Sequence, residues 1–129
     1  MKLLLDTHVL LWSLGSPRRI SPHVQQLIVS GRNQVFVSVV SLFEVAVRGP
    51  AARRLSLDID AEKVRNRSIE TGYDILPMTA EHALATESLA PFHQDPFDRL
   101  LLAQAQVENM RIITHDEDLA AYDSRAILF

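Results

Sequence analysis

Five short apolar runs, separated by stretches of helical periodicity, limit what this chain can fold into more than any other feature. Leu3-Leu4-Leu5, Val35-Phe36-Val37-Ser38-Val39, Tyr73-Asp74-Ile75-Leu76-Pro77, Arg111-Ile112-Ile113-Thr114 and Ala126-Ile127-Leu128-Phe129 read as strands. The first is apolar at every position up to Asp6, the pattern of a strand covered on both faces, so it is expected at the centre of a parallel sheet. Strands alternating with helices predict an α/β protein: a three-layer α/β/α sandwich around a mostly parallel sheet, with right-handed crossovers. Sheets of this kind bind ligands at the carboxyl ends of their strands.

The helices between the strands carry their own punctuation. A helix begins around Val9-Leu10-Leu11-Trp12 and is stopped by Gly15-Ser16-Pro17. Ser21-Pro22 predicts an N-cap followed by proline in the first turn, with Val24, Leu27 and Ile28 on one face and Gly31 closing the helix. Ser41 to Val47 reads as helix, Asp60 caps a helix ending at Gly72, and Thr79 caps another through about Leu89. Asp95-Pro96 opens a helix that is apolar nearly all round and so is expected to be buried, and a short helix runs from about Glu117 to Tyr122.

A length of 129 residues fits a single domain over 1–129. Cysteine is absent, which excludes thiolate metal sites, disulfides and a cysteine nucleophile and makes the cytoplasm the simplest compartment. The start, Met1 to Leu5, is too soon interrupted by Asp6 and His8 for an export signal. No apolar run exceeds four residues, where a spanning helix needs about 20, so no membrane association is expected. Thirteen Lys and Arg against sixteen Asp and Glu give a net charge of −3; contact with nucleic acid must therefore rely on a local patch.

Four acids fall where a strand ends or the next helix begins: Asp6, Glu44, Asp98 and Asp116. A carboxylate beside apolar runs needs a partner or must be protonated. A divalent cation is such a partner, and an all-oxygen donor set with water suits Mg²⁺ or Mn²⁺. The chemistry such ions serve is phosphodiester hydrolysis by activated water. Each acid also has a plainer reading. Ser41-x-x-Glu44 has the form of a capping box, Asp95 caps its helix with Asp98 in the first turn, and Thr114-x-x-Glu117 is another capping-box pattern. That last pattern leaves Asp116 unexplained and Asp118 as a solvated acid; for Asp6 no local cap is evident.

Thr7 and Ser38 are candidates to hydrogen-bond waters around a metal; their plainer role is local backbone bonding at a strand end. Arg48 to Arg67 holds six of the thirteen basic residues, Arg48, Arg53, Arg54, Lys63, Arg65 and Arg67. This stretch could bring a phosphate backbone to the acids, with Arg48 and Arg99 as candidates to contact phosphate, whereas Lys63, Arg65 and Arg67 better suit a solvated helical face. None of the five histidines shows metal-ligand spacing; His93 and His115, beside acids, are the two worth testing. There is no glycine-rich phosphate loop and no G-x-S-x-G elbow.

At these residues the chain resembles the PIN-domain family, and within it the VapC toxins of toxin–antitoxin pairs. The likeness rests on Leu5-Asp6-Thr7-His8-Val9-Leu10-Leu11-Trp12, on Ser38-Val39-Val40-Ser41-Leu42-Phe43-Glu44-Val45-Ala46, on His93-Gln94-Asp95-Pro96-Phe97-Asp98-Arg99-Leu100-Leu101 and on Thr114-His115-Asp116, in that order across nearly the whole chain. It implies a metal-dependent endoribonuclease acting on cellular RNA, with Asp6, Glu44, Asp98 and Asp116 matched to the acids that hold Mg²⁺ or Mn²⁺. It further implies an α/β/α sandwich, a homodimer, and an antitoxin partner, often of the Phd/YefM type, inserting a segment near the acids. Glu117-Asp118 departs from the residues relatives commonly carry after the fourth acid. The alternative function is a catalytically silent PIN-like module that docks a partner protein. A receiver-type phosphoacceptor lacks its late lysine, the last here being Lys63, and a haloacid-dehalogenase-like phosphatase wants Asp-x-Asp where this chain has Asp6-Thr7-His8.

Overall fold

The structure, a computed structural model, describes residues 1–49, 60–91 and 94–129. Among these residues the elements run β1 (Lys2–Leu5), α1 (Thr7–Gly15), α2 (Pro22–Val29), β2 (Gln34–Ser38), α3 (Val39–Arg48), α4 (Ala61–Thr71), β3 (Asp74–Leu76), α5 (Ala80–Ala85), α6 (Pro96–Val107), β4 (Arg111–Thr114), α7 (Glu117–Ala120) and β5 (Ile127–Leu128). Arg53, Arg54, Asp58 and His93 lie outside the described residues.

The five strands form one sheet in the order β3-β2-β1-β4-β5, every pair parallel. The expected central position of Leu3-Leu4-Leu5 holds: all three are fully buried, with β2 on one side and β4 on the other. The two-residue period of a strand then sorts the core into layers. Leu3, Leu5, Val35, Val37 and Ile113 pack with α1, α2 and α4 on one face, whereas Leu4 and Ile112 pack with α6 and α7 on the other. This is the expected α/β/α sandwich. Strand order reverses between β1 and β4, so a crevice opens outside their carboxyl ends.

Several element ends differ from expectation. α2 closes at Ser30, whose extended backbone (ψ 127°) turns the chain before Gly31 is reached, and Ser21 makes no side-chain capping bond. α3 starts at Val39, with the Ser38 hydroxyl accepting from the Val40 N–H. The Ser41 and Glu44 pair is therefore inside the helix, not a capping box. After Ala85 the chain tightens into a 3₁₀ turn over Thr86–Ser88, which shortens the helix expected to reach Leu89. α6 is buried from Leu101 through Ala105 but exposes Val107, so it is not covered all round. Lys63, Arg65 and Arg67 sit exposed on α4, as a solvated face requires. Among the described residues no helix is long and apolar enough to cross a membrane.

α4 shows both expected ends: Asp60 accepts from the Lys63 N–H at 2.9 Å, and Gly72 takes the left-handed conformation at φ 97° with its N–H on the Ile69 and Ser68 carbonyls. An added Cβ at Gly72 would meet nothing within 4 Å, so the cost of replacing it is conformational alone. Gly72→Ala is expected to lower unfolding free energy in urea by about 1–2 kcal/mol without moving the fold; an unchanged urea midpoint would contradict the assigned cap.

Candidate active site

The crevice at the carboxyl ends of β1 and β4 holds a cleft of about 310 Å³ whose lining includes Asp6, Glu44, Asp98 and Asp116. The four acids singled out in the sequence are thus brought to one place by four elements. Asp6 follows β1, Glu44 lies in the second turn of α3, Asp98 in the first turn of α6, and Asp116 follows β4. A larger hollow of about 540 Å³ lies at the opposite end of the sheet, around the α2–β2 and α4–β3 turns. Its one carboxylate, Asp74, accepts from the Gln34 amide, and it offers no comparable chemistry.

Asp6 is 7% exposed and is the N-cap of α1, accepting from the Thr7 N–H at 2.7 Å. A local cap therefore does account for it, contrary to the sequence reading. Its second oxygen accepts from the Thr114 hydroxyl at 2.8 Å, and Thr114 in turn accepts from the Asp116 N–H at 3.0 Å. One threonine at the end of β4 thus orders two of the four acids. Asp116 is also an N-cap, accepting from the N–H groups of Asp118 and Leu119, so α7 begins with Asp116 and not with a Thr114–Glu117 box. Asp118 is exposed and absent from the cleft lining.

Glu44 is 5% exposed and sits between two donors. The Thr7 hydroxyl lies 2.7 Å from its Oε1, with Ser41 Oγ 2.9 Å from the same hydroxyl, and the Arg48 guanidinium is 3.0 Å from its Oε2. Thr7 is thus neither a strand-end residue nor turned to open solvent; it holds Glu44. Arg48 also donates to Asp95 at 2.9 Å and lies over the Phe97 ring at 5.2 Å, so it is the resident cation of the cleft. Asp95 caps α6 through the Phe97 and Asp98 N–H groups, as expected, and lines the cleft besides.

Two expected helpers lie elsewhere. Ser38 is fully buried, capping α3 and donating to the Gln104 side chain, and does not line the cleft. Arg99 donates to the carbonyls of Ala90, Thr86 and Leu89, bracing the turn before α6 instead of facing the acids. His115 does line the cleft, together with His8 and Trp12. Thr114, Asp95, His8 and Trp12 were not picked out as site residues in the sequence. Only the flanking of Asp6 and Asp116 by His8 and Thr114 pointed to any of them.

Burial pushes the Asp6 carboxyl above its ordinary range, more strongly than the Thr114 and Thr7 hydrogen bonds and nearby His8 pull it down, and Asp116 adds repulsion. Burial likewise raises Glu44 against the hydrogen bond from Thr7 and the charge of Arg48. Burial would also raise Asp95, but the Arg48 bond and the two backbone N–H groups outweigh it and hold that carboxyl low. Among the described residues no three His, Asp or Glu side chains stand together closely enough to enclose an ion as they are arranged. The donors themselves are hard oxygens, the type Mg²⁺ and Mn²⁺ take. The raised, mutually repelling Asp6 and Glu44 are groups that a cation would relieve.

A carboxyl raised in the fold adds stability that is complete below its unfolded pKa and is lost as pH rises through the folded one. Asp6 and Glu44 have this sign; lowered Asp95 has the opposite one and loses its contribution only as pH falls below the ordinary carboxylate range. The metal-free protein is expected to melt at a higher temperature at about pH 5 than at about pH 8, and Asp6→Asn, which preserves the cap, should raise the melting temperature at the higher pH and shrink the difference. A variant with an undiminished difference would show that Asp6 is not the strained group.

Comparison with known proteins gives a consistent family. The PIN domain model matches residues 3–124. Ribonuclease VapC22 of Mycobacterium tuberculosis is 32% identical over 126 residues, covering 92% of this chain and 90% of that protein. The crystal structure of VapBC2 from Rickettsia felis bound to a DNA fragment from their promoter contains a chain that superposes with TM-score 0.70 at 15% identity, over 100% of this chain and 98% of that one. A chain of FitAcB from Neisseria gonorrhoeae superposes with TM-score 0.62 at 20% identity, over 98% and 96%.

Proposed function

Because the chain belongs to the PIN domain family and is similar over nearly its whole length to a VapC ribonuclease, we propose that it is one PIN-like domain over 1–129 acting as a metal-dependent endoribonuclease, the toxin of a toxin–antitoxin pair. The observation that carries this reading is the cleft lined by Asp6, Glu44, Asp98 and Asp116 at the switch point of a parallel sheet. The silent docking module is not the reading that a ribonuclease relative favours.

In this reading Asp6, Glu44, Asp98 and Asp116 hold Mg²⁺ or Mn²⁺. When bound, the ion supplies an activated water and neutralises charge on the attacked phosphodiester. The protein's own contribution is to hold these acids in place. The N–H groups at the start of α1 and α7 hold Asp6 and Asp116, Thr114 joins the two, and Thr7 holds Glu44. Asp98 sits in the first turn of α6, where the positive helix end favours its charge. Arg48 pairs with Glu44 and Asp95, and Glu44 would have to exchange this partner to hold a cation. From there its guanidinium, which now gives one nitrogen to each of two carboxylates, can donate to phosphate oxygens.

The solved neighbours include toxin–antitoxin complexes, which supports an antitoxin partner for this chain. A Phd/YefM-type antitoxin follows the resemblance of the stretch from His93 to Arg99, and a homodimer follows the family likeness. The cytoplasm, where its RNA substrate lies, suits a chain without cysteine.

Purified protein incubated with total cellular RNA and with tRNA and rRNA fragments is expected to cleave with Mg²⁺ or Mn²⁺ and not with EDTA. Asp98→Asn and Asp6→Asn should each lower the rate by about 100-fold or more while circular dichroism stays that of the parent. Cleavage at the parental rate by either folded variant would remove that acid from the mechanism, and no cleavage by folded, metal-supplied wild type would overturn the nuclease reading.

A further inference from the structure

One wall of the acidic cleft is aromatic, and no step of hydrolysis at the acids uses it. His8 and His115, both exposed, flank Trp12, with ring centroids 6.2 Å and 5.5 Å from the indole. Phe129 continues the wall at 4.9 Å from His115, whose Nδ1 donates to the Phe129 carbonyl, and the Arg19 guanidinium lies over the indole at 5.5 Å. The Trp12 indole N–H is buried without a hydrogen-bond partner among the described residues.

The geometry points to this wall as a nucleobase subsite: an unstacked RNA base next to the scissile phosphate lies on the exposed His8 and His115 rings that flank Trp12. The inference rests on the ribonuclease reading and adds to it how the substrate is held. Three observations select a base as the occupant. The wall and the acids line the same cleft, so a nucleotide whose phosphate sits at the carboxylates has its base at the rings. A volume of about 310 Å³ is at the small end of ligand sites and admits a nucleotide-sized group, not a helix. Flat aromatic and cationic side chains without a hydrogen-bonding pattern specific for one base are the sequence-tolerant platform on which proteins stack single-stranded RNA.

Trp12 is the chain's one tryptophan, so its fluorescence reports the wall directly. Asp98→Asn protein with Mg²⁺ is titrated with a six-nucleotide RNA and with an abasic ribose-phosphate oligomer of the same length. The RNA is expected to quench Trp12 saturably and the abasic oligomer to bind without quenching. His8→Ala and His115→Ala should each weaken RNA binding about fivefold or more, the low end for one stacked base, and leave the abasic oligomer unaffected. Equal quenching by both oligomers, or RNA affinity unchanged in both histidine variants, overturns the subsite. If wild type still cleaves RNA in an Asp98-dependent way, the nuclease reading survives that failure; no binding and no cleavage of any RNA overturns both. Quenching by a tetra-arginine peptide but not by RNA would give the wall to a protein segment and overturn the assignment to a base.

Discussion

Removing a carboxylate from water costs several kcal/mol unless hydrogen bonds or an opposite charge compensate, and this chain removes two, Asp6 and Glu44, within one crevice. Much of the architecture around the site follows from meeting that requirement. Thr114 at the end of β4 donates across the strand boundary to Asp6, Thr7 at the start of α1 donates to Glu44, and Arg48 reaches back one helical turn to the same glutamate. Each donor comes from a different element from its acceptor except Arg48. The hydrogen bonds that partly offset the burial of these acids are therefore also those that fix β1, β4, α1 and α3 against one another at the site. Leu3, Leu4 and Leu5, wholly buried, make the position of Asp6 as rigid as the centre of the sheet.

Three of the four acids, with Asp95, lie at or in the first turn of a helix: Asp6 on α1, Asp95 and Asp98 on α6, Asp116 on α7. Capping and metal binding looked like competing explanations for these residues in the sequence, but they are one arrangement seen twice. Helix N-termini carry partial positive charge and unsatisfied N–H groups. Three of them converge on one crevice and turn their N–H groups toward its carboxylates. For Asp6 and Asp116 the capping oxygen is in each case Oδ1, and the other oxygen of Asp6 accepts from the Thr114 hydroxyl.

The fold was legible because strand and helix signals in this chain agree with their tertiary setting. The central strand, the parallel sheet and the caps at Asp60, Thr79 and Asp95 could all be read from apolar runs and capping residues. The convergence of Asp6, Glu44, Asp98 and Asp116 followed from where each stood relative to a strand end. What escaped was side-chain direction. Ser38 and Ser41 both precede α3 or open it, and only the backbone at Ser38, extended before Val39, decides which of them caps. Arg99 adjoins Asp98 in sequence, but neighbours on a helix face differ by about 100°, and its guanidinium turns to the Ala90 and Thr86 carbonyls. Thr114 and Trp12 read as ordinary strand and helix residues because their partners are more than 100 positions away in the chain.

Arg48 decides how an acidic cleft can meet a polyanion. With a net charge of −3 the protein gains nothing from long-range attraction to RNA. As the structure stands, Arg48 occupies the glutamate that the metal reading requires. Both facts are reconciled if the guanidinium exchanges partners. Were Glu44 to hold a divalent cation, Arg48 would still be anchored to Asp95 and packed over Phe97, with one edge of its guanidinium free. Phosphate, the other anion whose oxygens match a guanidinium fork, would then offset the loss of one carboxylate partner. Under the proposed function, cation and RNA would thereby favour one another's binding through a single side chain.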